Sequence, residues 1–595
     1  MQKLFRLVAL AALPAAFLAA VDTNPMQERA DRFLALVNSA YQAVYYVEAE
    51  AVWAASTDVK PEHDAAAETA GKARAAFVGN PAIIDETKTL LLHRHELNDV
   101  TIRQLQRLLL ISAEGPMTNP ALTKARIAAE TAQSSTLNGF GFKLHGKPVS
   151  VNEIDNLLRT TTGLAERRAV WEASKESGQA LRDGLIKLRD LRNGVAKEMG
   201  YADYFALQVA GYGMTTEEMI KLNDEFMAVL RPLYLQLHTW AKYKLAGRYG
   251  QPVPKRIPAH WLANRWSQEW DGLVEGADFD PFFKDRTPEW VAQSSERFYT
   301  GLGFPKLPPS FWEKSDLYPV PAGGPRKKNT HASAWHMDLG ADLRSLQSIE
   351  NNQWWFNTNH HEFGHIYYYI AYTRPGVPPL LRTGANPAFH EGFGELTALA
   401  SAQLPYLKSL GILPADFKLD RNEFLLSTAL GSGGIVFIPW ASGVMAHWEA
   451  DIYAKNLPVS EWNRRWWQYV RDFQGIEPPA DRGEEWCDAA TKTHINDNPA
   501  YYYTYAIAQV FKHHLHDHIA RKILKQPPQS CNYAGNKEVG DFLRKIMEKG
   551  ATEDWRKVIK EATGEELSTR AMVEYYKPLM DWLVEQNKGR QIGWE

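Results

Sequence analysis

The stretch His361-Glu362-Phe363-Gly364-His365 constrains this chain more than any other, because its residue types work together only on a helix. Residues four apart lie one above the other on a helical face, so His361 and His365 present two imidazoles to one point, with Glu362 beside them. Two imidazoles and a carboxylate in that arrangement bind Zn²⁺ and handle a proton next to it. The same spacing also suits a helix carrying two unrelated histidines. The rest of the chain therefore has to supply a third ligand, a group that orients the ligands, an oxyanion stabiliser and a substrate anchor.

The third ligand comes from Asn386-Pro387-Ala388-Phe389-His390-Glu391-Gly392-Phe393-Gly394-Glu395. Pro387 can open a helix, and Glu391 and Glu395 then share a face. Glu391 is expected to bind the metal. Glu395 is expected to accept a hydrogen bond from the far ring nitrogen of a ligating histidine. A solvated acidic face is the alternative, and it fits poorly with Phe389, Gly392, Phe393 and Gly394 around these acids.

Composition excludes more than it selects. Lys and Arg (67) balance Asp and Glu (70), with no long charged run, which argues against nucleic acid as a partner. Two cysteines, Cys487 and Cys531, have no zinc-binding spacing, so any metal is held by His and carboxylate. Lys3 and Arg6 followed by the apolar run Leu7 to Leu18 and Leu18-Ala19-Ala20 read as a secretory signal over residues 1–20. No later stretch is apolar enough to span a membrane, and no stable membrane anchor is expected. Together with the lack of any Asn-x-Ser/Thr acceptor, this predicts an exported protein of a bacterial periplasm.

Helical spacing recurs along most of the chain: from Asp22 to Gly146 with breaks at Asn80-Pro81 and Gly115-Pro116, from Leu181 to Met199, and from Thr215-Thr216-Glu217-Glu218 towards Tyr249. Prolines crowd the section from Gly250 to Pro325, which reads as loops between shorter helices. His331 to Leu343 has room for a short strand pair. Beyond Ala388 the pattern is helical again. The expectation is a mostly α chain, with 21–595 as a single catalytic domain of two helical lobes around a deep central cleft, and at most a small strand element.

The motifs taken together resemble the angiotensin-converting enzyme family of zinc peptidyl-dipeptidases. His-Glu-x-x-His followed by Gly384-Ala385-Asn386-Pro387-x-Phe389-His390-Glu391 carries the likeness, and further matches come in family order. These are Ile257-Pro258-Ala259-His260-Trp261 running to Gln268, Ser310-Phe311-Trp312, His331-Ala332-Ser333-Ala334-Trp335, Trp466-Trp467 with Phe473-Gln474-Gly475, and Lys492-Thr493-His494.

The resemblance implies one Zn²⁺ per chain on His361, His365 and Glu391, with Glu362 as the base that takes a proton from the zinc-activated water and then delivers it to the leaving amine. It implies a tyrosine for the oxyanion and a second, one helical turn earlier, for the substrate's C-terminal carboxylate. In Tyr501-Tyr502-Tyr503-Thr504-Tyr505 the pair spaced by three is Tyr502 and Tyr505, assigned to carboxylate and oxyanion respectively. A one-residue shift relative to the family between His494 and this run keeps Tyr501 and Tyr503 open. Lys492 and Gln268 join Tyr502 around the carboxylate. His331 and His494 hydrogen-bond the substrate backbone, and Ala332 and Ala334 offer backbone groups to an extended peptide.

Glutamine at 268, where a single-residue carboxypeptidase relative has arginine, fits release of dipeptides from oligopeptides with a free C-terminus. The alternatives are a zinc carboxypeptidase or oligopeptidase of the same fold, or a non-catalytic peptide-binding relative. Animal members bind chloride through arginines. Val470, Thr504 and Lys175 stand where such arginines would be, which predicts weak or absent chloride activation. Thr383 replaces an acidic residue near the site. His513, His514, His516 and His518 form a histidine-rich helix that reads as a packed or solvated face rather than a second metal site.

Overall fold

The computed structural model describes residues 24–594 apart from 271, 275–277 and 322, so the expected secretory signal at 1–20 lies outside the described residues. Among them, helix dominates and strands are few and short, as the spacing predicts. The elements that build the site are α1 (Pro25–Thr57), α2 (Asp99–Ser112), α3 (Thr216–Tyr249), the strands β1 (Ser333–His336) and β2 (Leu343–Leu346), α4 (Gln353–Tyr372), α5 (Pro387–Ser401), α6 (Ala446–Tyr453) and α7 (Tyr503–His518).

Most of these start where a polar side chain caps them. Asn24 accepts from the amides of Met26 and Gln27, Asn352 from Trp355, and Asn386 from Phe389 with Pro387 at the first helical position. Thr215 and Glu218 form a reciprocal capping box on α3, which ends at Gly250 in the left-handed region (φ 60°). β1 and β2 pair antiparallel, Ser333 opposite Leu346 and His336 opposite Leu343. This is the expected strand pair, displaced a few residues further along the chain. A hairpin at Lys143–Pro148 and a parallel pair of Ile257–Pro258 with Ile476–Glu477 carry no sequence signal of their own.

Burial divides into two large cores. One gathers Trp171, Leu185, Tyr234, Trp440, Trp448 and Tyr503. The other gathers Phe298, Tyr299, Phe356, Phe363, Tyr367 and Phe511. Helix α7 feeds both, sending Tyr503, Ile507 and Val510 to the first and Phe511 and Leu515 to the second. A third, smaller core joins α1 and α2 through Leu34, Val37, Leu105 and Leu108. The two cysteines are buried free thiols, Cys487 in the first large core and Cys531 in the second. Among the described residues no helix is long and apolar enough to cross a membrane.

Candidate active site

Helices α4 and α5 cross at a pair of glycines. A Cβ on Gly364 would stand 2.9 Å from the Cα of Gly394, and a Cβ on Gly394 would stand 2.8 Å from ring atoms of His361. The Thr397 hydroxyl lies 3.0 Å from the His360 carbonyl across the same crossing. No residue larger than glycine allows that approach.

The crossing sets Glu391 against the two histidines. Nε2 of His361 and Nε2 of His365 are 3.1 Å apart, and a Glu391 carboxylate oxygen is 3.7 Å from His361 Nε2. One ligand atom from each of the three residues falls within 4.8 Å of the others. Two nitrogens on one zinc, each at about 2.0–2.1 Å in a tetrahedral arrangement, stand roughly 3.4 Å apart, so this donor set fits that ion. Burial, helped by His361 and His390, drives His365 well below the usual imidazole range. It therefore presents a lone pair, and a cation between the rings satisfies both.

Glu362 is buried (6 % exposed). Burial pushes its carboxyl up to about 7, with His361 opposing and Glu391 adding to the rise. A carboxyl tuned to that range exchanges a proton near neutrality. Burial also raises Glu391, against the pull of His361. Glu395 behaves differently: burial would raise it, but Lys512 and His361 outweigh that and hold it below the usual range. Its carboxylate faces His361 Nδ1 at 3.9 Å, beyond hydrogen-bond length, so the expected hydrogen bond is a charge contact instead. Lys512 Nζ, which sequence reasoning missed, takes the other oxygen at 3.1 Å. Lys512 carries no sequence signal, because only the packing of α7 against α5 brings it there.

A second cluster lies on another wall. Lys492 Nζ donates to Gln268 Oε1 at 2.8 Å, and the Tyr502 hydroxyl reaches the same oxygen at 3.4 Å. The Lys492 ammonium sits 4.1 Å from the centroid of the Trp266 ring. Burial, together with the Arg265 charge, brings Lys492 down to about 7. Trp266 and Thr491 are further residues the sequence did not single out: the Trp266 indole donates to Thr491 Oγ1 at 3.1 Å. Gln268 and Trp266 line a cavity of about 340 Å³, and a larger one of about 660 Å³ touches His390 and Tyr501.

The tyrosines of the run meet different surroundings. The Tyr505 hydroxyl is 3.3 Å from His494 Nε2, and burial lowers His494 to about 4, so its ring is neutral. Tyr503 is in the core, packed on Phe205 and Tyr212. Tyr501 stacks edge-on to Tyr505 and lines the larger cavity.

His331 is exposed, with Nδ1 2.8 Å from the Ala332 carbonyl, close enough to Glu362 and Glu391 to act on their charges. The Ala334 carbonyl accepts from the Tyr369 hydroxyl at 3.2 Å. Both carbonyls expected to meet a peptide thus have one partner already and keep a second lone pair.

In the histidine-rich helix, His514 Nε2 meets Thr563 Oγ1 at 3.0 Å, His516 meets Tyr533 and the Pro528 carbonyl, and His518 stacks on Phe542. Each of these rings has a packing role. Val470 and Lys175 are buried, and buried Thr504 bonds the Tyr212 hydroxyl at 2.8 Å.

The family profile described as angiotensin-converting enzyme matches residues 24–594. The chain is 32 % identical over 463 residues to an angiotensin-converting enzyme of Theromyzon tessulatum, covering 74 % of this chain and 73 % of that protein. It is 30 % identical over 464 residues to that of Rattus norvegicus, covering 74 % of this chain and 34 % of that protein. With that of Oryctolagus cuniculus it shares 28 % over 618 residues, covering 98 % of this chain and 45 % of that protein. The chain thus spans less than half the length of the latter two. With the profile running from the first helix to the last and the donor set in place at the helix crossing, this chain belongs to the angiotensin-converting enzyme family of zinc peptidyl-dipeptidases.

Proposed function

We propose that this chain holds one Zn²⁺ on His361, His365 and Glu391 and releases dipeptides from the C-termini of oligopeptides. The observation that carries this is the donor set His361, His365 and Glu391 together with the Lys492–Gln268–Tyr502 cluster, linked through Tyr505, whose ring meets Tyr502 and whose hydroxyl feels the Glu391 charge. Gln268 Oε1 is already taken by Lys492 and Tyr502, which leaves its amide N–H groups and the remaining Lys492 protons to donate to a carboxylate. A receptor for a terminal carboxylate at a set distance from the reacting centre makes the enzyme count from the substrate's end.

Zinc bound there supplies Lewis acidity and brings the pKa of water to about 7. Glu362 takes the proton of the attacking water and passes it to the leaving amine, a shuttle suited to a carboxyl that titrates near neutrality. Tyr505 donates to the oxygen of the reacting carbonyl as it gains charge, with His494 beside it to hold the phenol. His494 and His331 hydrogen-bond the peptide backbone, and Ala332 and Ala334 guide it along β1. Glu395, itself held by Lys512, orients His361 through charge.

The apolar run in the first twenty residues supports export, and we read the enzyme as secreted into a periplasm. Val470 and Thr504, both buried and uncharged, support weak or absent chloride activation.

The test is one assay series: a blocked tripeptide and a longer peptide, with and without chelator, with zinc restored, at low and high chloride. Dipeptides appear, activity stops with chelation and returns with zinc, and chloride changes little. Release of single amino acids would make it a carboxypeptidase and remove the dipeptide reading.

A further inference from the structure

We propose that Glu449 is a positioning residue: by accepting the Ala500 amide it holds the left-handed turn that aims Tyr502 and Tyr505 into the site. The inference rests on the peptidase reading above, which gives those tyrosines their roles.

The tyrosines follow His494 through a short segment that ends at Ala500. Ala500 is where the backbone turns sharply, with φ at +56° although it carries a Cβ and is fully buried. A left-handed alanine is strained by its Cβ and persists only where neighbours impose it. The neighbour here is Glu449 on α6, whose Oε1 accepts from the Ala500 amide at 2.7 Å. Directly after the turn the first helical bonds close, Thr504 amide to Tyr501 carbonyl at 2.8 Å and Tyr505 amide to Tyr502 carbonyl at 3.1 Å. Tyr502 then reaches Gln268 and Tyr505 reaches His494, while Tyr503 is turned into the core.

Glu449 is an expensive way to cap one amide. It is 1 % exposed, its second carboxylate oxygen has no protein partner, and burial pushes it up to about 8 against the moderating Ala500 bond and Arg192. The same loop is tied elsewhere by Gln133 to Asn496 Oδ1 at 2.7 Å, by Asn496 Nδ2 to the Ala490 and Lys492 carbonyls at 2.8 and 3.0 Å, and by the Arg192 guanidinium to the Asn496 carbonyl. Removing the Glu449 carboxyl leaves the buried Ala500 N–H without an acceptor, and the segment released is the one that carries Tyr502 and Tyr505.

The test compares a peptide bearing a free C-terminal carboxylate with its C-terminal amide, measuring kcat and KM together with Tm and zinc content. The proteins are wild type, Glu449→Gln and Glu449→Met. Glu449→Met keeps the volume but has no acceptor. It should fold and bind zinc with a lowered Tm, while its preference for the free carboxylate falls by about tenfold or more and kcat falls on both substrates. Glu449→Gln keeps an oxygen for the Ala500 amide and should retain the wild-type preference.

A folded, zinc-loaded Glu449→Met with the wild-type preference overturns the proposal. If Glu449→Met does not fold, Glu449→Leu replaces it, and failure of both shows a structural requirement instead of a positioning role. Wild-type enzyme that treats acid and amide alike removes the carboxylate reading, and the proposal with it, before any variant is made.

Discussion

On the metal wall every functional side chain rides on one of two helices, α4 and α5, whose capped starts and glycine crossing leave His361, His365, Glu362 and Glu391 almost no freedom. On the tyrosine wall Lys492, His494, Tyr502 and Tyr505 are spread over a short helical turn, a loop and the first turn of α7, joined through a left-handed alanine. The first wall is rigid because helical periodicity and close backbone contact over-determine it. The second combines packing of Ile495, Ala500 and Tyr502 in the first large core with individual hydrogen bonds, such as Glu449 to Ala500 and Lys492 to Gln268. Damage should therefore differ in kind. On the metal wall it removes chemistry or metal; on the tyrosine wall it moves groups and shows first in substrate preference.

The largest effect expected is on the metal wall. Glu362→Gln should retain zinc, measured by metal analysis, and lose kcat by roughly 10²–10⁴-fold or more, since the proton shuttle is gone while the ligands stay. Unchanged turnover would remove Glu362 from the base role. Next comes Tyr505→Phe on the other wall, with kcat down by about 10²–10³-fold and KM little changed, the signature of a donor used as the oxyanion forms. A change confined to KM would reassign Tyr505 to substrate binding.

Gly394→Ala sharpens the comparison through geometry alone. Its new Cβ lands on the His361 ring, so competition with a chromophoric chelator should show zinc affinity weakened by about 10–100-fold, the range seen when ligand orientation is lost. Wild-type affinity would mean the crossing has slack.

The smallest effect is a pH dependence on the tyrosine wall. Burial lowers Lys492 to about 7, so in the free enzyme its cation is present below that pH and lost above it. KM for a free-carboxylate peptide should rise above pH 7, by at most about tenfold per pH unit, while KM for the amide stays flat. Lys492→Arg, charged at any such pH, should abolish the rise. Equal pH dependence for acid and amide would assign the titration to another group.

Much of the fold could be read ahead of the coordinates. The breaks at Asn80-Pro81 and Gly115-Pro116, the helix ending at Gly200 and the one starting after Thr215 stand where cap and breaker chemistry puts them, because those signals are local. The three metal donors were legible for the same reason: i, i+4 spacing and a proline-started helix are written in single short segments. Lys512, Trp266, Thr491 and Glu449 were not legible. Lys512 and Glu449 come from elements distant in sequence, Trp266 and Thr491 meet each other across 225 residues, and nothing in a lysine or a buried glutamate advertises its contact. The Glu395 bond was expected shorter than it is, because Lys512 competes for that carboxylate.

Helical periodicity, caps and the histidine–glutamate spacing are properties of neighbours along the chain, and they suffice for the elements, the ligands and the direction in which those ligands face. How near two helices come and how four neighbouring tyrosines are shared between core and polar contacts depend on contacts between segments well separated along the chain. Those contacts are decided by packing: two glycines that let α4 and α5 touch, and one buried carboxylate that holds Ala500 in its turn.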